Sequence, residues 1–363
     1  MKKLLLICLL LTFKASLLIV AFKRVENQKI PPKICNWDCG YYVDIFYRGY
    51  GHSENQSGTE AFYPAFPLLT RVLSPILPGQ SFGWKATFLN LALFSLILYL
   101  LMSWAQSLGF KQLELLAIFA ATDRFSLWAQ VPYTEALFVF CVLSFLWIYR
   151  NTSRSVLMEC VALAFGGLAS GVRLVGVACV GALGLSQIKR FIKNPPLGFL
   201  YLFVGSWGVL GFFGYLEYAM GSWDISLKAM AGWGRKFSLL GSLHSIYYLF
   251  KMGYWPTVLI FLGSIWWIVL PPRNIKLNWV ERLCFFLLVF IPLSSTNTTS
   301  LTRYLSIVYL GHMAFIYAVS GVLSRLPKPW QHTFWILFLA CEVYFQEQLL
   351  EKFLRTEAFS WAG

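Results

Sequence analysis

Apolar residues run along this chain in blocks, not in alternating stripes, and the blocks recur over its whole length. A transmembrane helix needs about 20 mostly apolar residues, whereas a membrane strand shows about ten residues of strict alternation. No such alternation is present, which excludes a β-barrel. The blocks predict helices over residues 4–22, 84–108, 112–122, 134–149, 155–170, 173–188, 197–217, 252–270, 283–294, 304–323 and 332–346. About eleven crossings result, by the length rule. The expectation is an all-α, polytopic helical membrane protein forming one membrane-embedded domain over residues 1–363.

Polar and amphipathic stretches fix the expected orientation. Met1-Lys2-Lys3 heads the first block, and no small-residue cleavage site follows Phe22, so the block reads as an uncleaved helix with its N-terminus in the cytoplasm. The cytoplasmic connections then hold Lys111, Arg150 and Arg154, Lys189, Arg190 and Lys193, Arg273, Lys276 and Arg282, and Arg325 and Lys328. The outer loops are poorer in Lys and Arg, as the positive-inside rule requires. On the outer side lie residues 23–83, too long for a connector, then the Trp-rich amphipathic stretch 218–250 and the stretch 294–304. In the tail, 347–363, Leu349, Leu350, Phe353 and Leu354 fall at helical spacing; it reads as an amphipathic interfacial helix without chemistry of its own.

Composition agrees: 58% of the residues are hydrophobic and 13% charged, against about a quarter charged in soluble domains. The formal net charge of +14 invites a nucleic-acid partner, but the cations sit in short clusters between apolar blocks, so membrane lipids are the expected partner and nucleic acid is not. Of the eight cysteines, only Cys35 and Cys39 are close together in a polar segment. On a helix they would be one turn apart, a strained spacing for a disulfide, and no zinc-ligand spacing appears.

Candidate chemistry concentrates on the outer side. Asn36 is suited to cap a helix that begins at Trp37, placing Asp38 in a first turn where the helix dipole favours negative charge. None of the positions three or four away from Asp38 is basic, whereas Asp44 has Arg48 at i+4 for a helical ion pair. The two acids lie about 120° apart on a helix, so they do not form an acid/base pair on one face. The plain alternative for Asp38 is a capping or surface acid. Asp123, Arg124 and Glu135 lie at the outer ends of two blocks, and Glu135 opens a helix after Pro132, a place favoured on dipole grounds alone. Arg173 interrupts a glycine-flanked apolar run, at a cost of at least ~2.5–3.5 kcal/mol, which implies a partner, a wet cavity, an anionic ligand or snorkelling. Arg303 begins an apolar run on the same side, where its planar fork suits a phosphate oxygen or an interfacial anchor.

These pieces occur in an order that resembles the PIG-V family of GPI mannosyltransferases and its bacterial relatives, of the GT-C membrane glycosyltransferase type. The resemblance rests on Trp37-Asp38, Tyr41-Tyr42, Gly49-Tyr50 and "AFYPAFPLL" after the first helix, then "VPYTEALF", "LASGVRLVG" and "TRYL", and it runs from about Trp37 to Tyr304. Leu174-Val175 stand where the family has Ser-Asn, and the chain is shorter than the eukaryotic enzymes, which favours a bacterial relative. The resemblance implies a polyprenyl-phosphate sugar donor, mannose or a similar hexose, and a lipid-linked or glycan acceptor. It implies no nucleotide sugar, no metal and no cofactor. Asp38 would be the general base of an inverting transfer; Arg173 and Arg303 would hold the leaving lipid phosphate. Glu135, Tyr133 and Trp37 would bind sugar or acceptor. The active site would face the extracytoplasmic side of the cell membrane, or the lumen of the endoplasmic reticulum in a eukaryote. A secondary transporter or a non-catalytic membrane subunit are the competing readings; acids at one face and the lack of a visible repeat weigh against the first.

Overall fold

A computed structural model describes residues 1–51, 58–152, 155–232, 234, 238–251, 255–295 and 309–357. Among the described residues the chain forms sixteen α-helices and three short 3-10 turns. In order they are α1 (Lys2–Asn27), α2 (Asp38–Arg48), α3 (Ala65–Leu73), α4 (Phe82–Ser107), α5 (Leu113–Thr122), α6 (Glu135–Asn151), α7 (Val156–Val172) and α8 (Val177–Ser186). Then follow α9 (Ile188–Lys193), α10 (Pro195–Met220), α11 (Ile225–Gly232), α12 (Leu239–Lys251), α13 (Trp255–Val269), α14 (Trp279–Leu293), α15 (Tyr309–Leu323) and α16 (Lys328–Leu354). Helices α1, α4 and α10 each have 26 residues, about 39 Å of rise, and are long and apolar enough to cross a bilayer unaided. Shorter apolar helices pack among them. Helix α5 rises only about 15 Å, half a hydrocarbon core, and the chain goes on through a 3-10 turn over Arg124–Ala129.

The connections that carry the predicted cytoplasmic cations converge at one end of the molecule. Lys3 reaches Gln106, the Arg150 guanidinium donates to the carbonyls of Ser107 and Lys276, and Lys276 N–H donates to the Leu108 carbonyl. Helices α2 and α3, the start of α6 and the turn between α7 and α8 gather at the other end. That turn falls at Arg173, as the glycine-flanked break predicts: α7 stops at Val172 and Arg173 is extended, with φ −154°. Gly176 then passes so close to the Ala169 and Ser170 backbone that a Cβ would overlap it.

Acids inside the bundle are paired, which is how membrane interiors tolerate them. Glu281 takes Arg150 at 2.7 Å and the Trp104 indole at 2.9 Å; Glu159 takes Arg190 at 3.0 Å. Glu342 of α16 receives the Arg124 guanidinium through two nitrogens at 2.5 and 2.9 Å. Lys14 donates to Ser126 Oγ at 2.8 Å, and Gln346 donates to the same oxygen at 2.7 Å. These pairings explain why α16 runs unbroken to Leu354 although its apolar block ends near residue 346. Glu342 and Gln346 lie inside the predicted block and meet Arg124 and Ser126, while Glu351, beyond it, meets Arg24. Leu349, Leu350, Phe353 and Leu354 are buried in the protein, their side chains packed against its core.

Candidate active site

The segment leading into α2 is held in an unusual backbone corner. Trp37 has φ +47° and ψ −117°, and the Cys39 N–H donates to the Asn36 carbonyl at 3.1 Å. That is the corner of a tight turn which glycine ordinarily occupies, and a bulky residue there costs about 1–3 kcal/mol. The surroundings impose it. Asn36 is buried and does not cap α2, contrary to the expectation from spacing, because its side chain is engaged elsewhere. Its Nδ2 donates to the Lys33 carbonyl at 2.9 Å and to the Phe353 carbonyl at 2.6 Å, and its Oδ1 accepts from the Thr356 hydroxyl at 2.8 Å. Its carbonyl accepts from the Tyr133 hydroxyl at 3.1 Å, and the Trp37 ring meets Phe353 edge-on at 5.3 Å.

Cys35 and Cys39 form a disulfide across the same corner, with Cα atoms 5.3 Å apart. Their spacing looked strained for a helix, but α2 begins only at Asp38, so Cys35 lies in the preceding loop and is free of helical geometry. By the chain-entropy estimate so short a ring is worth about 2 kcal/mol. Reduction is therefore expected to lower the melting temperature, and Cys35 and Cys39 should take up a maleimide only after a reductant is added; alkylation of both in the untreated protein would contradict the bond.

Asp38 is the first residue of α2 and half-buried, with Tyr42 one turn further on and fully buried. The Tyr42 phenol faces Thr134, and the charges of Asp38, Arg173 and Glu135 all act on it. Burial, then Asp38, pushes this phenol well above its ordinary range, with Arg173 pulling the other way and Glu135 adding to the rise. Tyr41 is raised by burial and by Asp38. Both tyrosines therefore stay protonated near neutrality, as donors and not as bases. No ion pair joins Asp44 to Arg48 among the described residues, so the pairing expected at i+4 does not form.

Arg173 stands across from this corner. Its Nη2 meets Glu135 Oε1 at 2.5 Å, its Nε donates to Thr134 Oγ1 at 2.9 Å, and it lies over the Phe138 ring. Glu135 is fully buried at the first position of α6. Arg173 is also the cationic group of a small apolar cavity of about 30 Å³, walled by Phe138, Val142, Val175, Phe285, Leu288 and Tyr309. Val175 faces this apolar space. Trp37, Asp38, Tyr133, Glu135 and Arg173 thus lie at one end of the molecule, tied through Asn36, Tyr42 and Thr134. Arg303 lies outside the described residues. The sequence did not single out Thr134, Phe353 or Thr356. Thr134 had a signal, as the neighbour of Tyr133 and Glu135 in one motif, whereas Phe353 and Thr356 lie over 300 positions from Asn36.

No family model matches the sequence, and no curated protein matches it. By structure the chain is similar to ArnT from Cupriavidus metallidurans in its crystal structure bound to undecaprenyl phosphate, with a TM-score of 0.53 over 92% of this chain and 16% sequence identity. The chain spans 62% of the length of that protein. At this identity the likeness is one of fold: the chain shares the polytopic helical architecture of that protein.

Proposed function

We propose that the protein is an integral membrane glycosyltransferase that moves a hexose, mannose or a close relative, from a polyprenyl-phosphate sugar to an acceptor hydroxyl at the outer membrane face. The observation that carries this reading is that a half-buried carboxylate, Asp38, and a guanidinium, Arg173, both act on the one buried phenol of Tyr42, with Arg173 lining an apolar cavity. A lipid phosphate asks for a fixed cation beside apolar side chains, and Arg173 with Phe138 and Val175 offers both. The fold likeness to a protein whose structure holds undecaprenyl phosphate supports the same donor class.

In this reading Asp38 takes the proton as the acceptor oxygen attacks the anomeric carbon. The new C–O bond forms on one face of the sugar while the bond to the lipid phosphate breaks on the other, so the configuration inverts. The leaving phosphate departs with the bonding electrons, and Arg173 stabilises its growing charge, joined by Arg303 as the motif resemblance implies. Glu135 holds Arg173 in place, and Tyr133 acts through Asn36 on the turn that aims Asp38. Trp37 offers a half-buried aromatic face beside the carboxylate. The PIG-V-like motif order favours this assignment over other GT-C activities.

The direct test is to incubate purified protein with labelled polyprenyl-phosphate sugars and membrane lipids and to identify the labelled product; no transfer from any such donor overturns the reading. Orientation is tested separately. In Asn55→Cys, placed in the first outer loop, the new thiol is expected to react with a membrane-impermeant maleimide added to intact cells. Protection until the cells are broken would put the site on the wrong side of the membrane.

A further inference from the structure

The C-terminal stretch, read from sequence as an interfacial tail without chemistry, ends against the turn that carries Asp38. We infer that it is a positioning clamp for that carboxylate, with Thr356 as its key residue; this rests on the reading of Asp38 as the base. Two observations made independently of each other converge on Thr356.

The first is backbone conformation. Helix α16 closes with a bond from Thr356 N–H to the Phe353 carbonyl at 3.0 Å and one from Glu357 N–H to the Lys352 carbonyl at 3.0 Å. This is the helix-ending motif in which the residue after the cap takes left-handed dihedrals and is usually glycine. Here that residue is Thr356, at φ +61°. A β-branched side chain in this conformation is a genuine outlier, and such outliers persist where the surroundings need the side chain.

The second is where that side chain goes. Its hydroxyl donates to Asn36 Oδ1 at 2.8 Å, while Asn36 Nδ2 donates to the Phe353 carbonyl at 2.6 Å and the Lys33 N–H donates to the Leu354 carbonyl at 2.9 Å. Asn36 thus uses its acceptor and its donors at once, and all but the bond to Lys33 run to the end of α16. The next residue, Trp37, is itself in a left-handed corner, and its ring rests on Phe353. Two strained residues that are not glycine therefore face one another across a single asparagine. The support beneath them is stiff: Arg24 of α1 binds Glu347 at 3.0 Å and Glu351 at 3.1 Å, so the end of α16 cannot slide along α1 without breaking ion pairs. The clamp fixes the direction in which α2 leaves the turn, and Asp38 is its first residue. Small misplacements of a reacting group are costly: about 1 Å loses a hundredfold in rate.

Thr356→Gly separates this role from a structural one. Glycine relieves the strain at the helix end, so the melting temperature is expected to hold or rise, while kcat for sugar transfer falls roughly fivefold with the KM for the polyprenyl-phosphate sugar unchanged. Thr356→Ser keeps the hydroxyl and should restore most of the rate. Asn36→Ala removes the side-chain bonds to Phe353 and Thr356 together and should lower kcat further, up to about a hundredfold. A readout that needs no turnover is hydrogen exchange: the Cys39 and Gly40 amides, which close the turn, should exchange faster in Thr356→Gly. The clamp is overturned if Thr356→Gly keeps full kcat, or if its kcat and melting temperature fall together and Thr356→Ser does the same. Asp38→Asn measured alongside distinguishes the two claims. Full transfer by that variant removes both the base and the clamp, whereas an inactive Asp38→Asn with an unaffected Thr356→Gly removes the clamp alone.

Discussion

Asp38→Asn is expected to lose sugar transfer by roughly 10²–10⁴-fold while the protein still inserts, folds and binds its lipid donor. The substitution is nearly isosteric and removes one thing, the capacity to accept a proton. Asp38 is half-buried in the first turn of α2, where the helix dipole favours a negative charge, so the substitution should cost only about 0.3–1 kcal/mol. The neighbouring groups offer no substitute base: burial and Asp38 itself keep Tyr42 protonated, and the Glu135 carboxylate is engaged with Arg173. Rate and binding should therefore separate, with kcat lost and the affinity for undecaprenyl phosphate retained. Transfer at the normal rate by this variant would falsify the base assignment. Loss of donor binding together with rate would move Asp38 into the binding site instead.

What the sequence announced and what it hid divide along physical lines. Local signals were legible. The break at Arg173 follows from glycines that let α7 and α8 approach within backbone contact, and an arginine at that depth signalled the partner found in Glu135. The apolar blocks foretold α4 over Phe82–Ser107 and α10 over Pro195–Met220 to within three residues, because length and hydropathy set membrane helices directly. Long-range pairing was not legible. Asn36 looked like a helix cap because spacing knows nothing of Phe353 and Thr356, which reach it only in the folded bundle. The end of α16 looked like an interfacial helix because Leu349, Leu350, Phe353 and Leu354 at helical spacing suit a membrane surface as well as a protein core, and no local rule reveals that the turn at Asn36 packs against them. The disulfide could not be read from spacing, which is strained only if both cysteines share a helix; Cys35 precedes α2, and the turn at Trp37 brings it to Cys39.

Glu135→Ala is expected to destabilise the protein by about 3–5 kcal/mol, the larger of the stability effects foreseen here. The Arg173 side chain is 11% exposed and that of Glu135 is wholly buried, so removing the acid strands a guanidinium in a low-dielectric site. Glu135→Gln should cost less, since its amide oxygen still accepts from Arg173. Arg173→Lys should also cost, because a single ammonium cannot reach Thr134 and Glu135 together as the guanidinium fork does. The informative variant is the double substitution Glu135→Leu with Arg173→Met. Replacing both members of a buried pair with apolar groups is often neutral, so the melting temperature should return close to its starting value. Transfer should not return, because a methionine beside Phe138 and Tyr309 cannot stabilise a departing phosphate. Stability regained without activity would give Arg173 a role beyond holding α6 to the turn between α7 and α8. Both regained together would reduce the pair to a structural lock and leave the lipid phosphate to other cations. The two outcomes differ in kcat at equal melting temperature, so one thermal scan and one transfer assay on the same purified variant decide between them.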